Sequence, residues 1–268
     1  MSLTPAELAS EVLVAPRHPS ARLPDTEVIA RDDWFQIRTP SIKGGGLNEV
    51  SLAVLAPEDV DAAITRTLAT FEGIRFRWSV MPDSRPLDLP ERLAARGFVR
   101  SETRAMYRAA TPLEDVPGVT VERERDGVRF TDVLARGWGM DPAPLFALHD
   151  AMLRGGKTAL FVASLDGVPV GAAGMVFHER SAYLLGGVVL EAARKRGVYR
   201  ALVGQRMKVA REAGLELITV HANATTSGPL LEKLGFVDLV RYPNFSRASA
   251  PHPDPLPFRG EGEQFTGS

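Results

Sequence analysis

Apolar positions fall into two blocks with the same internal rhythm. In the first block, the run from Ser51 to Leu55 predicts a strand that leads through Ala56-Pro57-Glu58-Asp59 into a helix start. Val60, Ala63, Ile64, Leu68 and Phe71 then recur at helical spacing, and Gly73 ends the helix. Arg75 to Val80 alternates arginine with Phe76 and Trp78, the pattern of a half-buried strand. Leu87 to Arg96 predicts a short helix closed by Gly97, and Phe98 to Arg108 the last strand of the block.

The second block repeats this order with more sequence in front of it. Phe161–Leu165, Asp166-Gly167 and Val168–Phe177 predict a hairpin, because Asp-Gly suits the left-handed conformations of a tight turn. Tyr183 to Leu190 predicts a strand, Gly197 to Ala213 a helix, and Leu215 to Val220 another strand. Pro229 to Leu234 predicts a short helix closed by Gly235, followed by a strand from Phe236 to Arg241. The helix exits share wording: Glu91-Arg92-Leu93-Ala94-Ala95-Arg96-Gly97-Phe98-Val99 beside Glu232-Lys233-Leu234-Gly235-Phe236-Val237. Matched order with matched wording indicates an internal duplication.

The expected division is an N-terminal segment (1–29), a first unit (30–115), a second unit (116–247) and a tail (248–268). Proline and glycine punctuate the tail, which has too few apolar residues to offset its ordering entropy, so disorder is expected there. Gly44-Gly45-Gly46 has neither a strand before it nor a helix start after it, and is expected to be a flexible connection.

Composition removes several classes of function. The chain has 268 residues, with 32 Lys and Arg against 33 Asp and Glu, so bulk charge provides no attraction to nucleic acid or an anionic membrane. The absence of cysteine excludes disulfides, thiolate metal sites and a cysteine nucleophile. The five histidines are too scattered for an obvious zinc spacing, and no metal is expected. Met1 to Arg22 does not have the form of a secretory signal, and no stretch approaches the roughly 20 apolar residues of a membrane span. The expectation is a cytoplasmic protein, monomeric or homodimeric.

The stretch from Gly186 to Leu202 carries the most chemistry. A strand passes through a basic turn into a helix whose first amides have no intrahelical acceptor. Such an end attracts phosphate, and Arg194, Lys195, Arg196 and Arg200 add positive charge around it. A diphosphate fits both geometry and charge, and an ordinary solvated basic turn is the competing reading of this segment alone. The first block has Glu58, Asp59 and Asp61 at the matching helix start, where carboxylates suit ordinary capping and would repel a diphosphate.

With Arg194 and Gly197 in place, the turn resembles the acyl-CoA pyrophosphate loop of the GNAT superfamily of N-acyltransferases. Tyr199 departs from the small residue of that pattern. The resemblance covers about residues 120 to 245 and implies an α/β (α+β) fold: a mixed, largely antiparallel central sheet flanked by helices, here as two related units. The first unit would be a degenerate half without acyl-CoA. The resemblance further implies a cofactor site of Val188, Val189, Leu190, Arg194, Lys195, Arg196, Gly197, Val198, Tyr199, Arg200 and Ala201, with main chain of the strand offered to pantetheine. Thr226 and Ser227 join it from the polar stretch after the next strand. Leu231 stands where many members carry a tyrosine as general acid.

The implied reaction is transfer of an acetyl group from acetyl-CoA to a primary amine of a small molecule or peptide. Non-catalytic acyl-CoA binding is the alternative. His221, at the end of its strand and with an ordinary pKa near neutrality, is the candidate base. Trp34, Trp78 and Trp138 are candidates for an acceptor cleft, with core packing the favoured reading.

Overall fold

The computed structural model describes residues 3–43 and 47–247. The glycine connection at 44–46 and the tail at 248–268 lie outside the described residues. Near the N-terminus, Thr4 and Glu7 form a reciprocal capping box that starts helix α1 (Pro5–Ala9). A π-helical turn (Ser10–Val14) and a 3-10 turn (Ala15–Arg17) continue it.

The first unit runs β1 (Glu27–Ala30), β2 (Trp34–Arg38), β3 (Glu49–Ala53), α2 (Val60–Thr70), β4 (Arg77–Ser79), α3 (Leu89–Ala95) and β5 (Val99–Ala109). The second unit runs β6 (Val119–Arg123), α4 (Val128–Trp138), α5 (Pro142–Arg154), β7 (Thr158–Leu165) and β8 (Val168–Phe177). It continues through β9 (Ser181–Val189), α6 (Val198–Glu212), β10 (Leu217–Asn223), α7 (Ser227–Lys233) and β11 (Val237–Ser246). Between β7 and β8, Asp166 and Gly167 both have positive φ, as the predicted hairpin turn requires.

The eleven strands of the described residues form one sheet, in the order β1-β2-β3-β4-β11-β5-β10-β9-β8-β7-β6. The duplication shows in the pairings. β3 pairs parallel with β4, and β9 pairs parallel with β10. The remaining pairings are antiparallel, so the sheet is mixed and largely antiparallel, with helices on its faces. At the centre the units exchange their last strands: β5 lies between β10 and β11, and β11 between β5 and β4.

α6 packs on one face of the second unit through Val198, Leu202, Val203 and Met207. α4 and α5 cover the opposite face through Phe130, Val133, Leu134 and Leu145. The N-terminal segment places Val12 against Met81, Ala105 and Tyr242. Trp34 and Trp78 meet edge to face, with ring centroids 5.5 Å apart, inside the first unit's core. Hydrophobic packing therefore uses both rings.

The acids at the start of α2 do not cap it by side-chain hydrogen bonds, contrary to the capping expected. The chain enters α2 through a 3-10 turn (Pro57–Asp59), and Asp61 instead forms ion pairs with Arg92 and Arg96. Among the described residues no helix is long and apolar enough to cross a membrane.

Candidate active site

β9 and β10 pair over only three residues, from Leu217 opposite Ser181 to Thr219 opposite Tyr183. β9 then continues to Val189 and β10 to Asn223 without further pairing, so a cleft opens between residues 184–189 and 220–223. Within the cleft, Leu185 stands opposite Gly174 and Gly187 opposite Ala173, leaving Gly186 as an unpaired bulge at φ +48°.

The outer end of the cleft meets the start of α6. Lys195 has φ +63° and Gly197 has φ +77°, which turn the chain sharply into the helix. No side chain caps this start, and the amides of Val198, Tyr199 and Arg200 have no acceptor within the helix. Lys195, Arg196 and Arg200 are exposed here. Asp166 lies 3.5 Å from Arg196 and Glu114 lies 3.1 Å from Arg200, so neighbouring carboxylates partly balance the cations. Arg194 turns inward, its Nε donating to the Val189 carbonyl at 3.4 Å. Val116, in the connection between units, packs against Gly197, where an added Cβ would lie 2.7 Å from Val116 Cγ1.

Val198 is buried in the core, and Ala201 closes the first turn by donating to the Gly197 carbonyl. The departure at Tyr199 has a local explanation. Its ring lies beside Gly187 and packs against the α6-side core, near the buried Arg206, which donates to the carbonyls of Leu202 and Gly174. Tyr199 therefore folds under the sheet and away from the exposed amides. Burial lowers the Arg206 pKa to about 10, with Tyr199 opposing that shift, and raises the Tyr199 pKa.

Val188 faces the α4–α5 core, and the Leu190 amide donates to the Val170 carbonyl. The hydroxyls of Thr226 and Ser227 serve the β10–α7 turn. Thr226 donates to Asn223 Oδ1, and Ser227 Oγ accepts from the Asn223 amide. Leu231 is fully buried in the core. The structure thus gathers residues 188–190 and 194–201 along one side of the cleft, with His221 and Asn223 across from them.

His221 is a buried neutral imidazole with both nitrogens engaged. Nε2 donates to the Val12 carbonyl at 2.7 Å, which leaves Nδ1 to accept from the Tyr242 hydroxyl at 3.2 Å. Burial pushes its pKa down to about 4, opposed by the Val12 hydrogen bond. Tyr183 packs edge-on against the His221 ring, and burial pushes its pKa up to about 12.

The sequence reading missed a polar track reaching this face from the first unit. Arg77 pairs with Glu49 at 2.5 Å, Glu49 accepts from Ser79 Oγ at 2.5 Å, and Ser79 Oγ meets Asn244 Oδ1 at 2.6 Å. Asn244 donates onward to Thr103. Asn244 and Tyr242 alternate along β11 and so share a face, which places the track beside the Tyr242–His221 pair. The contributing strands come from both units, so nothing local in the sequence marks this assembly.

Residues 129–236 match the model of the acetyltransferase (GNAT) family. The matched stretch runs from α4 to α7 within the second unit. Acyl transfer is the general chemistry of that family. No curated protein matches this chain. Among solved structures, a GCN5-related N-acetyltransferase from Kribbella flavida aligns at TM-score 0.61 and 13% identity, over 84% of this chain and 91% of that one. A functionally unknown conserved protein from Staphylococcus epidermidis ATCC 12228 aligns at 0.59 and 16%, over 83% and 94%. A tandem GNAT protein from the clavulanic acid biosynthesis pathway aligns at 0.53 and 13%, over 87% and 86%. At such identities the likeness is one of fold, and it extends over both units.

Proposed function

We propose that the chain is an N-acyltransferase that moves an acetyl group from acetyl-CoA to a primary amine of a small molecule or peptide. What carries this reading is the junction of the β9–β10 cleft with an uncapped, cation-flanked helix start. Lys195, Arg196, Gly197 and the main chain of 198–201 would hold the diphosphate, whose charge suits both the free amides and the helix dipole. The edge of β9 from Gly187 to Val189, which β10 leaves unpaired, would receive the amide-bearing arm. Acetyl-CoA supplies the acyl group already activated as a thioester.

The chain's own task is to orient the amine and accept its proton. Tyr242 and His221 form a phenol–imidazole pair in which the Tyr242 proton points at Nδ1. The Tyr242 oxygen can take a proton from the amine as its own moves to His221, while the C–N bond forms, the C–S bond breaks and the CoA thiolate leaves to be protonated by solvent. A specific observation favours a second reading, non-catalytic acyl-CoA binding: an imidazole with a pKa near 4 is a weak proton acceptor, and Leu231 places no tyrosine at the family's general-acid position.

Calorimetric CoA binding tests the site. Lys195→Glu with Arg196→Glu should weaken binding at least about tenfold, since two charges at the helix start reverse sign. Unchanged affinity in the folded variant refutes the assignment. Thiol release from acetyl-CoA across a panel of amines separates the readings, because tight binding without release on any amine supports the binder.

A further inference from the structure

The glycine pair Gly186–Gly187 lies at the inner end of the cleft. β9 and β10 are paired at Tyr183 and Thr219, so anything entering between them from the α6 end must stop short of that point. An extended arm anchored at the α6 start and lying along β9 therefore ends beside the bulge. Two aromatic rings flank the backbone there. Tyr199 lies against Gly187, and Trp138, the last residue of α4, lies over Gly186, where an added Cβ would be 3.3 Å from its Cη2. Tyr199 packs against the α6-side core near Arg206. The Trp138 Nε1 is buried without a hydrogen-bond partner among the described residues. Packing against the cluster that holds Val133, Leu134 and Val188 therefore positions the indole.

We propose that Trp138 is the end wall of the acyl slot and restricts the donor to an acetyl-sized group. This inference rests on the acyl-CoA reading above and extends it to donor selectivity. A longer acyl chain at the bulge meets the indole ring, whereas a smaller residue at 138 opens the ring's volume to the chain. Since no hydrogen bond holds the indole, its replacement removes bulk without stranding a polar partner.

Calorimetric titration of the full chain with CoA, acetyl-CoA and hexanoyl-CoA tests this without an acceptor. The wild type should bind acetyl-CoA at least about tenfold more tightly than hexanoyl-CoA, the scale on which a close-fitting apolar wall discriminates added methylenes. Trp138→Ala should narrow or reverse that ratio while the Kd for CoA stays close to wild type. Trp138→Phe, which keeps an aromatic ring in the packing, should retain part of the discrimination. The proposal is overturned if the wild type binds both thioesters equally, or if a folded variant binds CoA normally and keeps the wild-type ratio. Failure of the wild type to bind CoA at all refutes the underlying site, and the end-wall assignment with it.

Discussion

His149 and His221 are both held neutral by burial, and each has its pKa pushed down to about 4 from an ordinary 6.5. His149 is tied through Nδ1 to Thr131 Oγ1 at 2.7 Å and packs edge-on against Phe130. The unfolded chain binds protons at these imidazoles more readily than the folded chain does. Stability is therefore complete above about pH 6.5 and falls as the pH drops toward 4, by about 3 kcal/mol for His149. Urea unfolding at pH 7.5, 6 and 5 should show this decline, and His149→Gln should flatten it. A decline of the same size in the variant would show that other groups cause it. Only part of this was visible in the residue order. The cations around Gly197 and the glycine itself are adjacent in sequence, but neither histidine's environment is.

At the scale of elements, the duplication was legible because a helix exit is a local device. Gly97 and Gly235 both adopt left-handed φ, +81° and +85°, and each is followed by a buried phenylalanine. The sequence reading passed over α4 and α5. Phe130, Val133 and Leu134 lie on one face of α4, but Gly137 looks like a helix breaker until its neighbour is known. Any side chain at 137 would overlap Val188 on β9, so the glycine is what lets the helix lie against the sheet. The N-terminal segment, to which the residue order assigned no element either way, covers the His221 face. Glu11 bonds Ser181, Glu7 pairs with Arg180 and Arg17 with Asp83. Removing residues 1–18 should re-expose the imidazole and raise the His221 pKa from about 4 toward 6.5. An NMR pH titration of the ring measures this, and a value still near 4 in the folded truncation would mean that the strands alone impose the burial.

At the scale of the whole molecule, the exchange of β5 and β11 makes the two units interdependent. Residues 116–247 expressed alone would leave β10 and β11 without β5 between them, exposing the main-chain edges of both strands. That fragment should lack a cooperative unfolding transition and should aggregate. Co-expression with residues 3–112 should restore a soluble complex. A monomeric second unit with a sharp melting transition would contradict this account. The exchange also explains how first-unit residues such as Glu49 and Arg77 come to lie near the second unit's cleft.

The residue order by itself determined most of the two repeated blocks of strands and helices, their exit glycines and the positive charge around one helix start. Each depends on residues within about a turn or a strand of one another, where spacing and backbone preference act directly. Only the tertiary structure decided which strands became neighbours, what covered His221 and where Trp138 came to rest. The His221–Tyr242 contact spans 21 residues and the His221–Val12 contact spans 209. Contacts at such separations follow from how hydrophobic faces and strand edges are satisfied across the whole sheet, a condition that no local pattern encodes.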